Sequence, residues 1–171
     1  ATQTASGSAN LSFTSGIDST YDKYVFKFYN IHPATDGVTF EFQGSTNGGS
    51  TYGVTITSSV FQAYHQENDA GAGIQYATNN DLAQSTSFQK ITGDLGNQND
   101  ECGSGIVQLF NPSSTTFVKH FITRENGQQN NEQSVNVFAA GYFNTTSAIN
   151  AVQFKMSSGN FDGVIKLYGI S

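Results

Sequence analysis

The residues of this chain that could do chemistry are three histidines, one cysteine and thirteen carboxylates. A zinc site usually draws two of its ligands from histidines or cysteines a few residues apart. His32, His65 and His120 are widely separated, and no pair has the i, i+2 or i, i+4 spacing of two ligands on one element. We therefore predict isolated strand or turn histidines, no metal, no cofactor, and no catalytic or cofactor-binding residues.

A nucleophilic mechanism lacks a recognisable motif. The only cysteine, Cys102, cannot form a disulfide within the chain, and its neighbours Asp100 and Glu101 disfavour a reactive thiolate. The stretch "ECGSG" does not complete the G-x-S-x-G motif of a serine nucleophile, although a Ser-His-Asp triad assembled from distant residues stays open. We expect Cys102 to be inert and structural and the chain not to be an enzyme.

Two carboxylates facing each other across a cleft could hydrolyse a glycosidic bond. Glu41 is the one candidate inside a predicted strand, where its phase is outward, and the others are expected to be solvated in polar loops. The candidates are Glu41, Glu67, Asp69, Asp94, Asp100, Glu101, Glu125 and Glu132. The segment "DLGNQNDE", Asp94 to Glu101, has enough oxygen atoms for calcium but lacks the D-x-[DN]-x-[DN]-G register, which favours an exposed polar turn.

The charge of the chain and the shortness of its apolar runs argue against two classes of partner. The formal net charge is -6, the pI is near 4.7, and the seven basic residues are scattered along the sequence. Binding of phosphates requires clustered Lys and Arg, so we predict no nucleic acid partner. No apolar run approaches the roughly 20 residues that span a bilayer, so we also predict no membrane insertion.

The elements that must position these residues are strands, because apolar and polar residues alternate along most of the chain. In "YVFKFYN", Tyr24, Phe26 and Phe28 share one face. In "GVTFEFQ", residues 37–43, the apolar side chains point inward and Thr39, Glu41 and Gln43 point outward. In the closing "GVIKLYGIS", residues 163–171, Ile165 and Leu167 lie opposite Val164, Lys166, Tyr168 and Ile170.

Further strands are predicted in "ANLSF", "SGIVQLFN", "TTFVKHFITRE", "SVNVFAAGYFN" and "INAVQFKM", with "PSS", "NGQQNNEQ", "TTSA" and "SSGN" as separators. "TYGVTITSSVFQAYHQ" reads as one long strand whose apolar phase shifts near Ser58 and Ser59, which suggests a bulge or a strand crossing between sheets. The polar segment that follows it, up to "DECGSG", is predicted to be a long excursion with a short helix around Asp81 to Ser85.

Eight or nine strands and no helical stripe predict one all-β domain over residues 1–171, an antiparallel two-sheet β-sandwich. The surface chemistry is supplied by Asn, Gln, Ser and Thr, because only 12% of the residues are charged. Two functions suit such a domain. One is a structural module packed against copies of itself, and the other is a carbohydrate-binding module with exposed Tyr rings, for which the absence of Trp is unfavourable.

Three stretches carry a resemblance to a known family: "FTSGIDSTYDKYVFKFYNIHPATDGVTFEFQ", "NPSSTTFVKHFI" and "SSGNFDGVIKLYGIS". They resemble virion-associated proteins encoded by tailed phages of marine bacteria and cyanobacteria. The likeness extends from about Ser12 to Ile170, and "IDSTY" and "G-x-I-K-L-Y-G-I" are its most distinctive parts. Unlike the fibre chains of that family, this sequence has no repetitive N-terminal shaft.

The resemblance implies a jelly-roll-like sandwich on the virion surface, either a stand-alone decoration protein or the C-terminal head of a longer fibre chain. We therefore predict a non-enzymatic phage virion structural protein, assembled in the bacterial host cytoplasm, where an unpaired Cys102 is at home. The expected partners are other copies in a homotrimer, other virion proteins and a host cell-surface glycan. The alternative is a receptor- or glycan-binding adhesin domain of a tail fibre.

Overall fold

The computed structural model describes residues 1–171, which form twelve β-strands and no helix. The strands are β1 (Thr2–Ser8), β2 (Asn10–Phe13), β3 (Lys23–Pro33), β4 (Phe40–Ser45), β5 (Ile56–Gln66), β6 (Ala72–Tyr76), β7 (Gln89–Lys90), β8 (Gly103–Phe110), β9 (Lys119–Gln129), β10 (Gln133–Phe143), β11 (Ala151–Met156) and β12 (Phe161–Ile170). One sheet has the order β1-β12-β3-β8-β9-β10-β5-β6 and the other β2-β11-β4-β7. The prediction of an all-β, antiparallel two-sheet sandwich is confirmed.

The two sheets enclose a core of 24 buried residues that is rich in phenylalanine. The ring of Phe154 lies 6.3 Å from that of Phe13, 5.2 Å from Phe26, 5.7 Å from Phe40 and 6.1 Å from Phe42. Such aromatic pairs add about 0.5–1.5 kcal/mol each beyond the burial of their area. The groupings predicted for β3 and β12 are confirmed, because Tyr24, Phe26 and Phe28, and likewise Ile165 and Leu167, lie together in this core.

The last strand is an interior strand of the larger sheet. β12 pairs with β1 on one side and with β3 on the other. The backbone groups of Ala1 and Leu167 exchange hydrogen bonds of 2.9 and 2.8 Å. Ladder hydrogen bonds thus hold β12 on both sides as far as Leu167, and β3 alone holds it from Tyr168 to Ile170, so an apolar strand can run to Ile170.

The motif "IDSTY" forms a closed turn that leads into β3. Asp18 Oδ1 accepts hydrogen bonds from the Thr20 amide (2.8 Å) and from the Tyr24 hydroxyl (2.9 Å). The Asp18 amide donates back to the Tyr24 hydroxyl over 3.0 Å. The hydrogen bonds from Thr20, with that from Tyr24, lower the pKa of Asp18 below its usual 3.8. The turn thus anchors the buried Tyr24 ring at the start of its strand.

The long excursion after β5 differs from the prediction. It contains two short strands, β6 and β7, and no helix over residues 81–85. The Leu82 amide donates to Ser58 Oγ (2.9 Å), the Gln84 amide to Thr57 Oγ1 (3.1 Å), and the Ser85 amide to the Ile56 carbonyl (3.0 Å). The helix is absent because β5 already supplies partners for these backbone groups. β1 was not predicted either, because its sequence "TQTASGS" has almost no apolar residues and so shows no alternation.

Two predictions about β5, β9 and β10 are wrong. β5 pairs with β10 from Ile56 to Gln66 without a register shift, so it has no bulge near Ser58 and Ser59. Its apolar phase changes because Phe61 faces outward in a regular strand. The polar "NGQQNNEQ" is not a long separator: β9 continues to Gln129, and β10 starts at Gln133.

The excursion between β5 and β8 covers surfaces on both sheets. Leu95 joins the main core, and Ala77 packs against a second buried cluster on the larger sheet. On the smaller sheet, Gln43 Nε2 donates to the carbonyls of Val54, Thr86 and Ser87 over 3.1, 3.2 and 2.9 Å. The outward side of β4 is therefore buried, which corrects the prediction of solvent-facing residues there.

Candidate functional site

The fold does not bring the three histidines together, and each of them has a different partner. His32 Nε2 lies 3.0 Å from the Gln98 carbonyl, His65 Nε2 lies 3.2 Å from Asp69 Oδ1, and the His120 ring packs edge-on against Tyr142. No group of three His, Cys, Asp or Glu side chains is placed to hold a metal ion.

One set of residues has the composition of a triad. Ser134 lies opposite His65 in the pairing of β10 with β5, and Asp69 follows on the same hairpin. No hydrogen bond joins Ser134 to His65, and the Ser134 hydroxyl accepts instead from Asn126 Nδ2 over 3.1 Å. His65 and Asp69 are largely exposed. The serine is thus not activated by the histidine as a nucleophile would be.

Three of the candidate carboxylates are buried, although Glu41 was predicted to point outward from its strand and the other two to be solvated in polar loops. Glu41 keeps its outward phase but is enclosed: its Oε1 accepts from Thr39 Oγ1 (3.1 Å), and its Oε2 lies 3.6 Å from Lys155 Nζ. Glu101 turns inward in the segment Asp94 to Glu101, where its Oε2 accepts from the Gln98 amide over 2.7 Å. That segment is therefore only partly the exposed polar turn that was predicted.

Glu125 is the third buried carboxylate, and it lies in β9 rather than in a polar loop. It points into the core, and neither of its carboxylate oxygens has a hydrogen-bond partner. A Cβ atom on Gly127 would overlap Oε1, and one on Gly103 would lie 2.8 Å from it. The two glycines thus leave the space that the carboxyl group fills. Burial raises the pKa of Glu125 well above its usual 4.5.

Cys102 is half-buried just before β8 and is free. The Cys102 carbonyl accepts a hydrogen bond from the Gln128 amide over 3.1 Å. The residue therefore contributes to the pairing of β8 with β9 through its backbone and not through its thiol. We expect Cys102→Ser to leave the unfolding midpoint and the state of assembly unchanged. Chemical denaturation and non-reducing gels check this, and a wild-type dimer linked through Cys102 would contradict the inert role.

The most unusual surface of the molecule is the outward side of the eight-stranded sheet, here called the outer sheet face. Nine large hydrophobic residues are exposed in the whole chain, and seven of them occupy this face. These seven are Tyr29, Phe61, Ile74, Tyr76, Ile122, Tyr168 and Ile170. They are spread over the sheet from β12 to β6, and such a concentration of exposed hydrophobic residues on one face marks a candidate site of interaction.

Charge is also unevenly distributed, and the outer sheet face is its basic side. Four of the seven basic residues point outward from this sheet: Lys23, Lys27, Arg124 and Lys166. Of the thirteen carboxylates, only Asp162 shares this orientation, at the irregular corner between β1 and β12. The outward strand positions therefore carry a formal charge of about +3 on a chain of -6, with the cations on β3, β9 and β12. Three loop carboxylates also reach this face, where Asp69, Asp81 and Glu67 contact the outward side chains of His65, Tyr76 and Gln128.

The cations of this face lie over aromatic rings. Lys27 Nζ is 5.3 Å from the centroid of Tyr168, Lys166 Nζ is 5.6 Å from that of Tyr29, and the Arg124 guanidinium is 5.1 Å from that of Phe138. Such contacts contribute roughly 0.5–1 kcal/mol each at exposed sites. They hold the positive groups flat on the sheet, where a bound anion could reach them.

Several depressions open on the surface, and two of them have volumes near 600 Å³. One, of about 600 Å³, lies away from this face and is lined by neutral groups that include Thr46, Thr51 and Asn144. The other, of about 580 Å³, opens on the outer sheet face, and its lining includes Ile122 and Ala140. We take the outer sheet face with its depression as the candidate functional site, because it combines an apolar floor with positive charge.

Sequence reasoning did not single out this site. The signal was present as the second set of alternating residues in each strand: Lys27 with Tyr29, Ile122 with Arg124, and Tyr168. Those residues could be assigned to the face opposite the core, but their gathering into one surface depends on the strand order. That order is not encoded in any single strand.

Comparisons with known proteins do not assign the chain to a family. No family model matches the chain, and no curated protein matches it. One similar solved structure is a protein of unknown function from Bacteroides ovatus, at a TM-score of 0.32 and 7% sequence identity. The match covers 68% of this chain and 46% of that protein, so this chain spans less than half of its length. In this structure, no helix is long and apolar enough to cross a bilayer.

Proposed function

We propose that this chain is a non-enzymatic structural protein of a tailed-phage virion, displayed on the particle surface as a capsid decoration or fibre protein. The observation that carries the proposal is the outer sheet face, with seven exposed hydrophobic residues in one surface. A surface of this type is the mark of a protein that acts by contact with another molecule. The resemblance to virion-associated proteins supplies the setting.

We further propose that the sandwich is a jelly roll, an architecture found in viral capsid and lectin domains. Eight of the strands, lettered B to I along the chain, are β2 to β8 followed by β11. Their sheet orders are then B-I-D-G and C-H-E-F, with the β9–β10 hairpin inserted between H and E. B-I-D-G and C-H-E-F are the sheet orders of a jelly roll, so the strand order supports this proposal. Because jelly rolls occur in viral capsid and lectin domains, it also supports both virion display and glycan binding.

The proposed assembly is a homotrimer whose copies meet through the amide- and hydroxyl-rich parts of the surface. Two copies that met through their outer sheet faces would place two surfaces against each other that both carry Lys27, Arg124 and Lys166. Like charges so close together are unfavourable. The outer sheet face is therefore proposed to remain available for a different partner.

A labelling experiment on virus particles tests the proposed function. Antibody raised against the purified chain is applied to intact, purified particles of the virus that encodes it and viewed by electron microscopy. We expect surface labelling that disappears when the antibody is first absorbed with the purified chain. A chain that is made during infection but is missing from purified particles would overturn the proposal.

The second candidate is adhesion to the host, as the receptor-binding head of a tail fibre. It is favoured by the exposed tyrosines Tyr29, Tyr76 and Tyr168, which share one face with a depression. A labelled, purified chain should then bind intact host cells saturably and be displaced by their surface polysaccharide. Absence of binding by a folded chain would leave the particle-building role alone.

A further inference from the structure

The depression on the outer sheet face is formed around a small side chain. Ala140 lies on β10, and its exposed methyl group leaves space beside the larger Tyr142. Ile122 on β9 and Ser59 on β5 lie directly opposite Ala140 in the sheet. Because side chains on one face of adjacent strands are about 5 Å apart, these residues form one floor.

The lining of this depression suits a sugar ring. The floor is apolar, with Ile122 and Ala140, and one wall is formed by the packed rings of Tyr142 and His120. Ser59 places a hydroxyl group along the β5 side, and the Thr57 hydroxyl, which accepts two hydrogen bonds from Gln84, keeps its proton for donation. A pyranose has an apolar face of C–H groups and a rim of hydroxyls, so it needs both kinds of surface. Ligand sites typically combine an apolar lining with a few polar groups in this way.

The row of residues next to the depression is positive. Arg124 follows Ile122 by two residues on the same face of β9. In the pairing of the strands, Arg124 lies opposite Ile106, Ile106 opposite Lys27, and Lys27 opposite Lys166. With strands about 4.8 Å apart, Arg124 and Lys27 are roughly 10 Å apart along this row. A linear anionic polymer could therefore contact several of these cations at once.

Charge and ring geometry favour an anionic polymer on this face over two other ligands, a second copy of the chain and a single-stranded nucleic acid. A second copy that met this one face to face would place positive charges against positive charges, and their repulsion disfavours that contact. Single-stranded nucleic acid stacks its bases on open aromatic faces. Here Phe61 and Phe138 stack on each other, with centroids 4.8 Å apart and planes within 5°, and Arg124 covers Phe138. Lys27 and Lys166 cover the rings of Tyr168 and Tyr29 in the same way. The exposed Tyr76 donates its hydroxyl to the Asp81 carboxylate, a negative group that disfavours a phosphate backbone there.

We propose that the outer sheet face binds an acidic polysaccharide, with one sugar ring in the Ala140 depression and its acidic groups paired with Arg124, Lys27 and Lys166. This inference rests on the adhesion role proposed above and names its ligand class. Carboxylate and sulfate groups share the required chemistry, because both pair with Arg and Lys.

The test uses the purified full chain and three polymers of similar length: polygalacturonate, dextran sulfate and neutral dextran. Binding is measured by titration calorimetry at low and at physiological salt. Ala140→Leu fills the depression without a change of charge, and Arg124→Gln removes one cation. Lys90→Gln is the matched control, because Lys90 lies in β7 on the other sheet. The unfolding midpoint of each variant checks that it is folded.

We expect polygalacturonate to bind, Arg124→Gln to weaken that binding about tenfold, Ala140→Leu to abolish it, and Lys90→Gln to leave it unchanged. Dextran sulfate binding with the same variant pattern would extend the ligand class to sulfates. Equal binding of neutral dextran, equal losses for Lys90→Gln and Arg124→Gln, or no binding of either anionic polymer would overturn the proposal.

Sedimentation velocity on the same samples identifies a competing use of this face. An oligomer of the wild-type chain that Ala140→Leu dissociates would assign the face to contacts between copies and overturn the glycan site. The proposed virion function fails by a different result, the absence of the chain from particles, so the two failures are distinguishable.

Discussion

Removal of residues 163–171 is expected to leave a chain that does not fold into a soluble form. The deletion takes most of β12 from between β1 and β3, so β1 loses its partner in the sheet. It also removes the buried side chains of Ile165 and Leu167, each contributing about 1.5–3 kcal/mol by burial. The eleven residues of β3 would become an exposed edge that invites aggregation.

The measurement is the soluble yield of the truncated chain, with circular dichroism and chemical denaturation of any soluble fraction. A chain that lacks only Ser171 is the matched control, because Ser171 is exposed and lies outside β12. We expect this control to unfold at the wild-type midpoint. A truncated chain with the same midpoint as wild type would show that β12 is not needed for the sandwich.

Glu125→Gln is expected to raise the free energy of unfolding at pH 8 and to flatten its dependence on pH. Burial raises the pKa of Glu125 in the folded chain well above the usual 4.5. Below about pH 4.5 both the folded and the unfolded chain hold this proton, so its burial contributes no pH-dependent cost. Above that pH the unfolded chain releases the proton first. Stability then falls by up to about 1.4 kcal/mol per pH unit until the folded chain also ionises.

Glutamine keeps the shape of the side chain in the space beside Gly103 and Gly127 but cannot ionise. Urea denaturation of the wild type and the variant at several pH values between 4 and 9 measures the difference. Glu132→Gln makes the same change of charge in the exposed turn between β9 and β10 and should leave the slope unchanged. Parallel stability curves for wild type and Glu125→Gln would mean that Glu125 ionises as easily in the folded chain as in the unfolded one.

The surroundings of the buried carboxylates explain why their burial was not predicted from the sequence. Glu125 follows the apolar stretch of β9 and precedes "NGQQNNEQ", a run of residues that resembles a loop. Its burial depends on Gly103 and Gly127, which pair across β8 and β9 and yield their space to it. Glu41 was placed on the correct face of β4, but only the excursion around Thr86 and Ser87 turns that face into an interior.

The sequence alone determined the fold class, the positions of most strands and which residues of a strand share a face. This was possible because alternation of side chains is a local property, visible along β3 or β12 without reference to any other strand. It also determined the acidic character of the chain and the isolation of Cys102.

The tertiary structure decided what the outward residues do together. Tyr168 and Lys27, or Arg124 and Phe138, are distant in the sequence and become neighbours only because β12 joins β3 and β9 joins β10. Strand pairing is a long-range choice that depends on all the sheets packing at once, whereas each strand's alternation is fixed by its own residues. The core was therefore readable from the chain, and the outer sheet face appeared only when the strands were placed in order.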